Sequence, residues 1–185
     1  MSPKLYFAQM AELVDALDSK SSSGNRVWVR FPLWAQKNLS FMMHNQTKQH
    51  RYDQAYMKMA NEWGKLSYCN RKQVGALIVK DNMIISDGYN GTPSGFENTC
   101  ELENGETKWY VLHAEANAIL KCAKHGHSSE NASLYLTHSP CKNCSKLIHQ
   151  AGIKRVVYHK EYKDLSGVDF LLQAKVEIVQ LKELI

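Results

Sequence analysis

Two short segments constrain this chain more than anything else in it: HAE at residues 113–115 and PCKNC at residues 140–144. An imidazole and two thiolates form a ligand set that zinc prefers, and three protein ligands leave the fourth tetrahedral position open. An open position marks a catalytic site. A closed structural site needs a fourth ligand and gives the carboxylate of Glu115 no duty. The spacing also dictates local structure. Cys141 and Cys144 stand three apart and share one face of a helix, and Pro140 before them suits a helix start. A helix N-terminus also favours their thiolate form. His113 and Glu115 stand two apart and would point to nearly opposite sides inside a helix. They can converge only at a helix start, with His113 on the metal and Glu115 beside the open position.

The surrounding pattern predicts the elements that carry these segments. Tyr52, Tyr56, Met59, Ala60 and Trp63 fall at helical spacing, which predicts an amphipathic helix over residues 52–67. QVGALIVK, an Asp81-Asn82 pair and MIISDGYN then read as a β-hairpin with a tight turn. Helices are expected over 113–124, 141–151 and 167–174, with strands over 134–138, 155–159 and 176–181. Such alternation implies an α/β chain with crossover connections and helices covering both faces of a central sheet.

Residues 1–42 do not read like the rest. A Ser/Gly/Asn cluster and a Trp/Val/Phe/Trp stretch precede a Met42-Met43 pair, and the segment resembles the conceptual translation of a bacterial tRNA gene. We therefore expect residues 1–42 to be a spurious or disordered extension without a role in the fold, a short helix around Met10–Leu17 aside, and residues 43–185 to be the single domain. At 185 residues the chain has room for one ordinary core.

Composition narrows the function classes. No stretch approaches the roughly 20 apolar residues of a membrane span, and no secretory signal pattern opens the chain, so a soluble cytoplasmic protein is expected. The net charge of +5 comes without any Lys/Arg run longer than two, which reads as a solvated surface and not a nucleic-acid footprint. It suits a small anionic substrate. Five cysteines, at 69, 100, 122, 141 and 144, fit a metal site in a reducing compartment better than a disulfide framework. Cys122 is expected in the core, and His125 and His127 at the surface.

The paired H-x-E and P-C-x-x-C segments are the signature of zinc-dependent nucleobase deaminases. More specifically, VGALIVKDNMIISDGYNGTPSGFEN (74–98), HAEANAI (113–119), LYLTHSPCKNC (134–144) and AGIKRVVYHKEYKD (151–164) resemble the deoxycytidylate (dCMP) deaminase family. That resemblance implies a three-layer α-β-α cytidine-deaminase-like fold around a mixed sheet of about five strands. It implies one catalytic Zn2+ per chain on His113, Cys141 and Cys144, proton transfer by Glu115, and hydrolysis of dCMP to dUMP. It further implies that Asn90 contacts the sugar, Tyr162 the nucleotide pocket and Arg71 the phosphate. Homo-oligomers, commonly hexamers, and dCTP/dTTP effectors near the GTPSG loop belong to the same implication. Some phage-type members carry a second zinc near positions like Cys69 and Cys100, although no histidine lies between Cys100 and His113 here. Two rival readings stay open: a tRNA adenosine deaminase, which shares the zinc motifs, and a noncatalytic zinc-stabilised binding module.

Overall fold

The computed structural model describes residues 33–184, with side chains from Lys48 onward. Backbone contacts divide the chain after His44, and the unit Asn45–Ile185 carries the sheet. In chain order the elements are α1 (Leu33–Gly64), β1 (Gly75–Lys80), β2 (Met83–Tyr89), α2 (Ala114–Lys124), β3 (Ser133–His138), α3 (Lys142–Gln150), β4 (Arg155–Lys160), α4 (Ser166–Gln173) and β5 (Glu177–Gln180). The five strands form one sheet in the order β2-β1-β3-β4-β5. β1 runs antiparallel to both β2 and β3, while β3, β4 and β5 are mutually parallel, so the sheet is mixed as expected.

The hairpin turn follows from its two residues. Asp81 and Asn82 both adopt left-handed φ, 51° and 61°, the geometry of a type I′ turn, which Asp and Asn tolerate better than other side chains with a Cβ. Alternation along the strands then sorts side chains into two cores. Ala76, Ile78, Leu134, Leu136, Val156 and Tyr158 face one way and pack against α2, α3 and α4 through residues such as Ala118, Ile148 and Leu171. Leu77, Val79, Tyr135 and Val157 face the other way, against Tyr56, Met57 and Ala60 of α1. The result is three layers, α-β-α. Cys122 lies in the first core, and His125 and His127 are exposed, all as expected.

Helix α1 departs from expectation in two respects. It begins at Leu33 and not near Tyr52, so the expected boundary at 42/43 falls inside a helix. No Gly or Pro occurs between Leu33 and Arg51 to stop it, and Pro32 stands where a helix can start. The expected short helix at Met10–Leu17 lies outside the described residues. The buried face also differs: Asp53, Met57, Ala60 and Gly64 are buried, whereas Met59 and Trp63 are 43% and 36% exposed. A charged residue within the stripe obscures it in the sequence.

Asp53 belongs there because the sheet supplies its partners. Arg155 of β4 donates two parallel bonds to its carboxylate, at 2.8 Å each, and the Tyr135 hydroxyl of β3 adds a third at 2.8 Å. Burial alone would raise the Asp53 carboxyl, but hydrogen bonds from Arg155, Gln49 and Tyr135 outweigh it and hold it below the ordinary carboxylate value. The pair therefore ties α1 to two central strands.

A second correction concerns the cysteines. Cys69 and Cys100 are joined in a disulfide, with Cα atoms 5.0 Å apart, leaving Cys122, Cys141 and Cys144 free. The reading of the cysteines as better suited to a metal site than to a disulfide framework fits Cys141 and Cys144 but not Cys69 and Cys100. Both sulfurs at the positions where some phage-type members carry a second zinc are bonded to each other.

Asp53→Asn leaves the Arg155 guanidinium buried without its counter-charge, and should lower unfolding stability by about 3 kcal/mol or more in urea denaturation. Stability from the lowered carboxyl is present above its unfolded value near pH 4 and is lost as pH falls through the folded one. The variant should accordingly show a weaker acid-side decline than the parent chain.

Candidate active site

A cleft of about 390 Å³ opens at the carboxyl ends of β3 and β4, where open α/β sheets place their ligands. His138 and Ser139 enter it from the end of β3, and Tyr162 and Lys163 from beyond the end of β4. Antiparallel pairing brings the start of β1, with Lys72 and Val74, and the end of β2, with Asn90, to the same edge.

The metal-ligand candidates reach the cleft from two helix starts. His113 is the N-cap of α2, at φ −74° and ψ 156°, and Cys141 is the N-cap of α3, at φ −73° and ψ 163°. This extended backbone is what lets His113 and Glu115 serve one site although two positions separate them. Glycines seat both turns. A Cβ at Gly88 of β2 would collide with the Ala114 carbonyl, and one at Gly167 of α4 with the Pro140 carbonyl and the Ser145 hydroxyl. Only a bare backbone allows these approaches.

His113 Nδ1 lies 3.4 Å from Cys144 Sγ and 3.6 Å from Cys141 Sγ, and the three donor atoms fall within 4.8 Å of one another. Tetrahedral zinc, with bonds of about 2.3 Å to sulfur and about 2.0–2.1 Å to nitrogen, calls for an N···S separation of about 3.6 Å. The donor set and its spacing fit zinc. The Cys141 thiol is drawn down to about 3 by hydrogen bonds from Cys144 and His113, which outweigh its burial. Cys144 is pushed up by the Cys141 sulfur and then by burial, so the pair holds one proton that a cation would displace. Glu115 is 5% exposed, and burial pushes its carboxyl above the ordinary value against the bond from its own backbone N–H. It lines the cleft beside His113 and Cys141, a carboxyl able to hold a proton.

The other three residues singled out in the sequence line the same cleft with unequal freedom. The Asn90 amide is engaged at both ends: Oδ1 accepts the Val74 N–H and Nδ2 donates to the Lys72 carbonyl, each at 2.8 Å. Tyr162 donates its backbone N–H to Ser139 Oγ at 2.8 Å, leaving its ring at the cleft. The Arg71 guanidinium donates to Thr107 Oγ1 at 3.2 Å, while Glu101 accepts the N–H groups of Asn70 and Arg71. Sequence reasoning passed over Lys72, Glu101, His138 and Ser139 as wall residues. Ser139 and His138 directly precede the Pro140-Cys141 turn, and that adjacency was the available signal.

The profile of the cytidine and deoxycytidylate deaminase zinc-binding region matches residues 50–160. The chain belongs to the cytidine and deoxycytidylate deaminase family. Among relatives of this family, ComE operon protein 2 of Bacillus subtilis (strain 168) is 38% identical over 140 residues, covering 72% of this chain and 74% of that one. The deoxycytidylate deaminase of Mycobacterium phage D29 is 38% identical over 124 residues, covering 60% of this chain and 95% of the relative. Among solved structures, the dCMP deaminase of cyanophage S-TIM5 in complex with dCMP and dUMP superposes with a TM-score of 0.68 at 50% identity, covering 69% of this chain and 94% of that one. The five-stranded α-β-α architecture is the cytidine-deaminase-like fold, and the His/Cys/Cys group fits the single catalytic zinc of this family. Among the described residues no helix is long and apolar enough to cross a membrane.

The purified deaminase should carry about one zinc per chain by metal analysis. Cys141→Ala should reduce that content well below one and lower the thermal midpoint, since a ligand that binds only the folded state stabilises it.

Proposed function

We propose that this chain hydrolyses dCMP to dUMP and ammonia, supplying dUMP for thymidylate synthesis. The observation that carries the reading is the meeting of His113, Cys141 and Cys144 beside a buried carboxyl in a cleft of mononucleotide size. The likeness to a dCMP deaminase crystallised with dCMP and dUMP supports the choice of substrate.

His113, Cys141 and Cys144 hold the zinc, which when bound supplies Lewis acidity that makes water a usable nucleophile near neutral pH. Glu115 takes one proton from the attacking water and delivers it to pyrimidine N3 as the oxygen adds to C4. It then carries the remaining hydroxyl proton to the exocyclic nitrogen, because an amide anion is a very poor leaving group. The C4–N bond breaks, the C4 carbonyl forms and ammonia departs. One water is consumed for each ammonia released.

Asn90 and Tyr162 bind the nucleotide in this reading. The Asn90 amide retains one hydrogen and one lone pair for the sugar after its two backbone bonds. Arg71 contacts the phosphate in this reading, with its guanidinium steadied by Thr107. Where dCTP and dTTP act as effectors, this reading assigns them to a second cleft of about 290 Å³ lined by Gly91, Thr92, Ser94 and Gly95. The working form is a cytoplasmic homo-oligomer, possible hexamers included, and thiol reductants there would act on the Cys69–Cys100 bond.

An ammonia-release assay over dCMP, CMP, dCTP, cytidine and tRNA tests the reading. We expect dCMP to exceed cytidine and dCTP by at least about tenfold in kcat/KM, because a pocket built for a monophosphate leaves polar groups unpaired with a nucleoside and crowds a triphosphate. Glu115→Ala should keep its zinc and lose about 10²–10⁴-fold in turnover. Preference for tRNA, or wild-type turnover by that variant, would overturn the reading. Residues 1–42 take no part in this function, and a chain begun at Met43 should equal the full chain in zinc content and dCMP turnover.

A further inference from the structure

Two cations that brace the framework are neutralised by a neighbour. Arg155 is paired with Asp53 and Glu177, and Lys121 with Asp87. Lys72 is different. It lines the active-site cleft, and among the described residues its ammonium makes no ion pair and no hydrogen bond, resting instead 4.8 Å above the centroid of the Tyr162 ring. A ring face holds a cation in place without cancelling its charge.

The surroundings fix that arrangement from both cleft walls. The Lys72 carbonyl accepts from Asn90 Nδ2, and Asn90 Oδ1 takes the N–H of Val74, so the backbone carrying Lys72 is pinned on either side. Tyr162, the supporting ring, is pinned by its N–H bond to Ser139. Lys163 adds a second positive charge at the cleft. Of the two carboxylates lining it, Glu101 is occupied by two backbone N–H groups and Glu115 lies at the metal ligands. His138, also in the wall, is held down to about 4 by burial and by the charges of Lys72 and Lys160, as a positive field requires.

We propose that Lys72, next to Arg71, is a specificity-determining residue that reads the substrate's 5′-monophosphate, and that Asn90 and Tyr162 position it. This rests on the dCMP reading above. An uncancelled ammonium, preorganised in the wall of the cleft that holds the metal-ligand group, recognises a phosphate dianion and offers a nucleoside nothing.

The test uses the zinc-loaded full chain and compares kcat/KM for dCMP and deoxycytidine in wild type, Lys72→Gln, Lys72→Met and Lys72→Arg. Binding of the products dUMP and deoxyuridine is measured in parallel by calorimetry, which does not depend on turnover. Removing a charge-assisted contact should cut the dCMP-to-deoxycytidine preference by about 10- to 100-fold, chiefly through KM. The dUMP-to-deoxyuridine affinity ratio should fall likewise, and Lys72→Arg should retain most of both. Rising salt should erode the preference in wild type more than in Lys72→Gln. Equal losses on both substrates, or an unaltered ratio in both the Gln and Met variants, would overturn the assignment while leaving dCMP deamination intact. A wild-type chain without dCMP turnover would overturn both.

Discussion

The hydrogen-bond register of β3 with its two neighbours decides where the chemistry can lie. Antiparallel pairing sets Leu136 opposite Ala76, and parallel pairing sets His138 opposite Lys160, so one sheet edge receives the end of β3, the end of β4 and the start of β1. A slip of one residue in β3 would exchange its two faces, moving Leu134 and Leu136 out of one core and Tyr135 out of the other. It would also displace the Pro140-Cys141 turn that follows the strand. The Asp53–Arg155–Tyr135 network reads the same register from the opposite face, because its sheet partners sit on β4 and β3. Helix α1, remote in sequence from the metal ligands, thereby helps to hold the strands that aim them.

Charge is distributed across this framework by depth. The deepest ion pair is satisfied bidentately and serves the fold, whereas the charges at the cleft are left partly uncompensated. Glu115 and the thiol pair are costly groups to bury, and they are tolerated because each has a neighbour of the metal-binding set within reach. The Cys69–Cys100 bond and the Glu101 carboxylate fasten the segment before β1 to the loop after β2, which keeps the cleft wall from relaxing away from these charges.

Much of this was legible in the sequence, for identifiable reasons. Strand alternation, the Asp81-Asn82 turn and the helix starts at the HAE and PCKNC segments are local patterns, and each element after α1 appeared within a residue or two of its expected span. The metal group was legible because its chemistry admits few spacings. What escaped depends on partners distant in the chain. The buried face of α1 contains Asp53, which reads as a surface charge until Arg155 is placed against it. The pairing of Cys69 with Cys100 cannot be read from spacing alone. Lys72 and Ser139 carry no motif of their own, and their importance comes from what Asn90 and Tyr162 do to them.

The placement of His113 and Cys141 at N-cap positions has a further consequence. Neither side chain caps its helix, so α2 and α3 both begin without the bond that Ser, Thr, Asp or Asn would supply there, a sacrifice of about 1 kcal/mol each. Replacing either residue with a better cap would strengthen the helix and dismantle the ligand set in the same stroke. The two helix ends are therefore closed to the ordinary routes of stabilisation, and any gain in robustness for this protein has to be sought elsewhere in the chain.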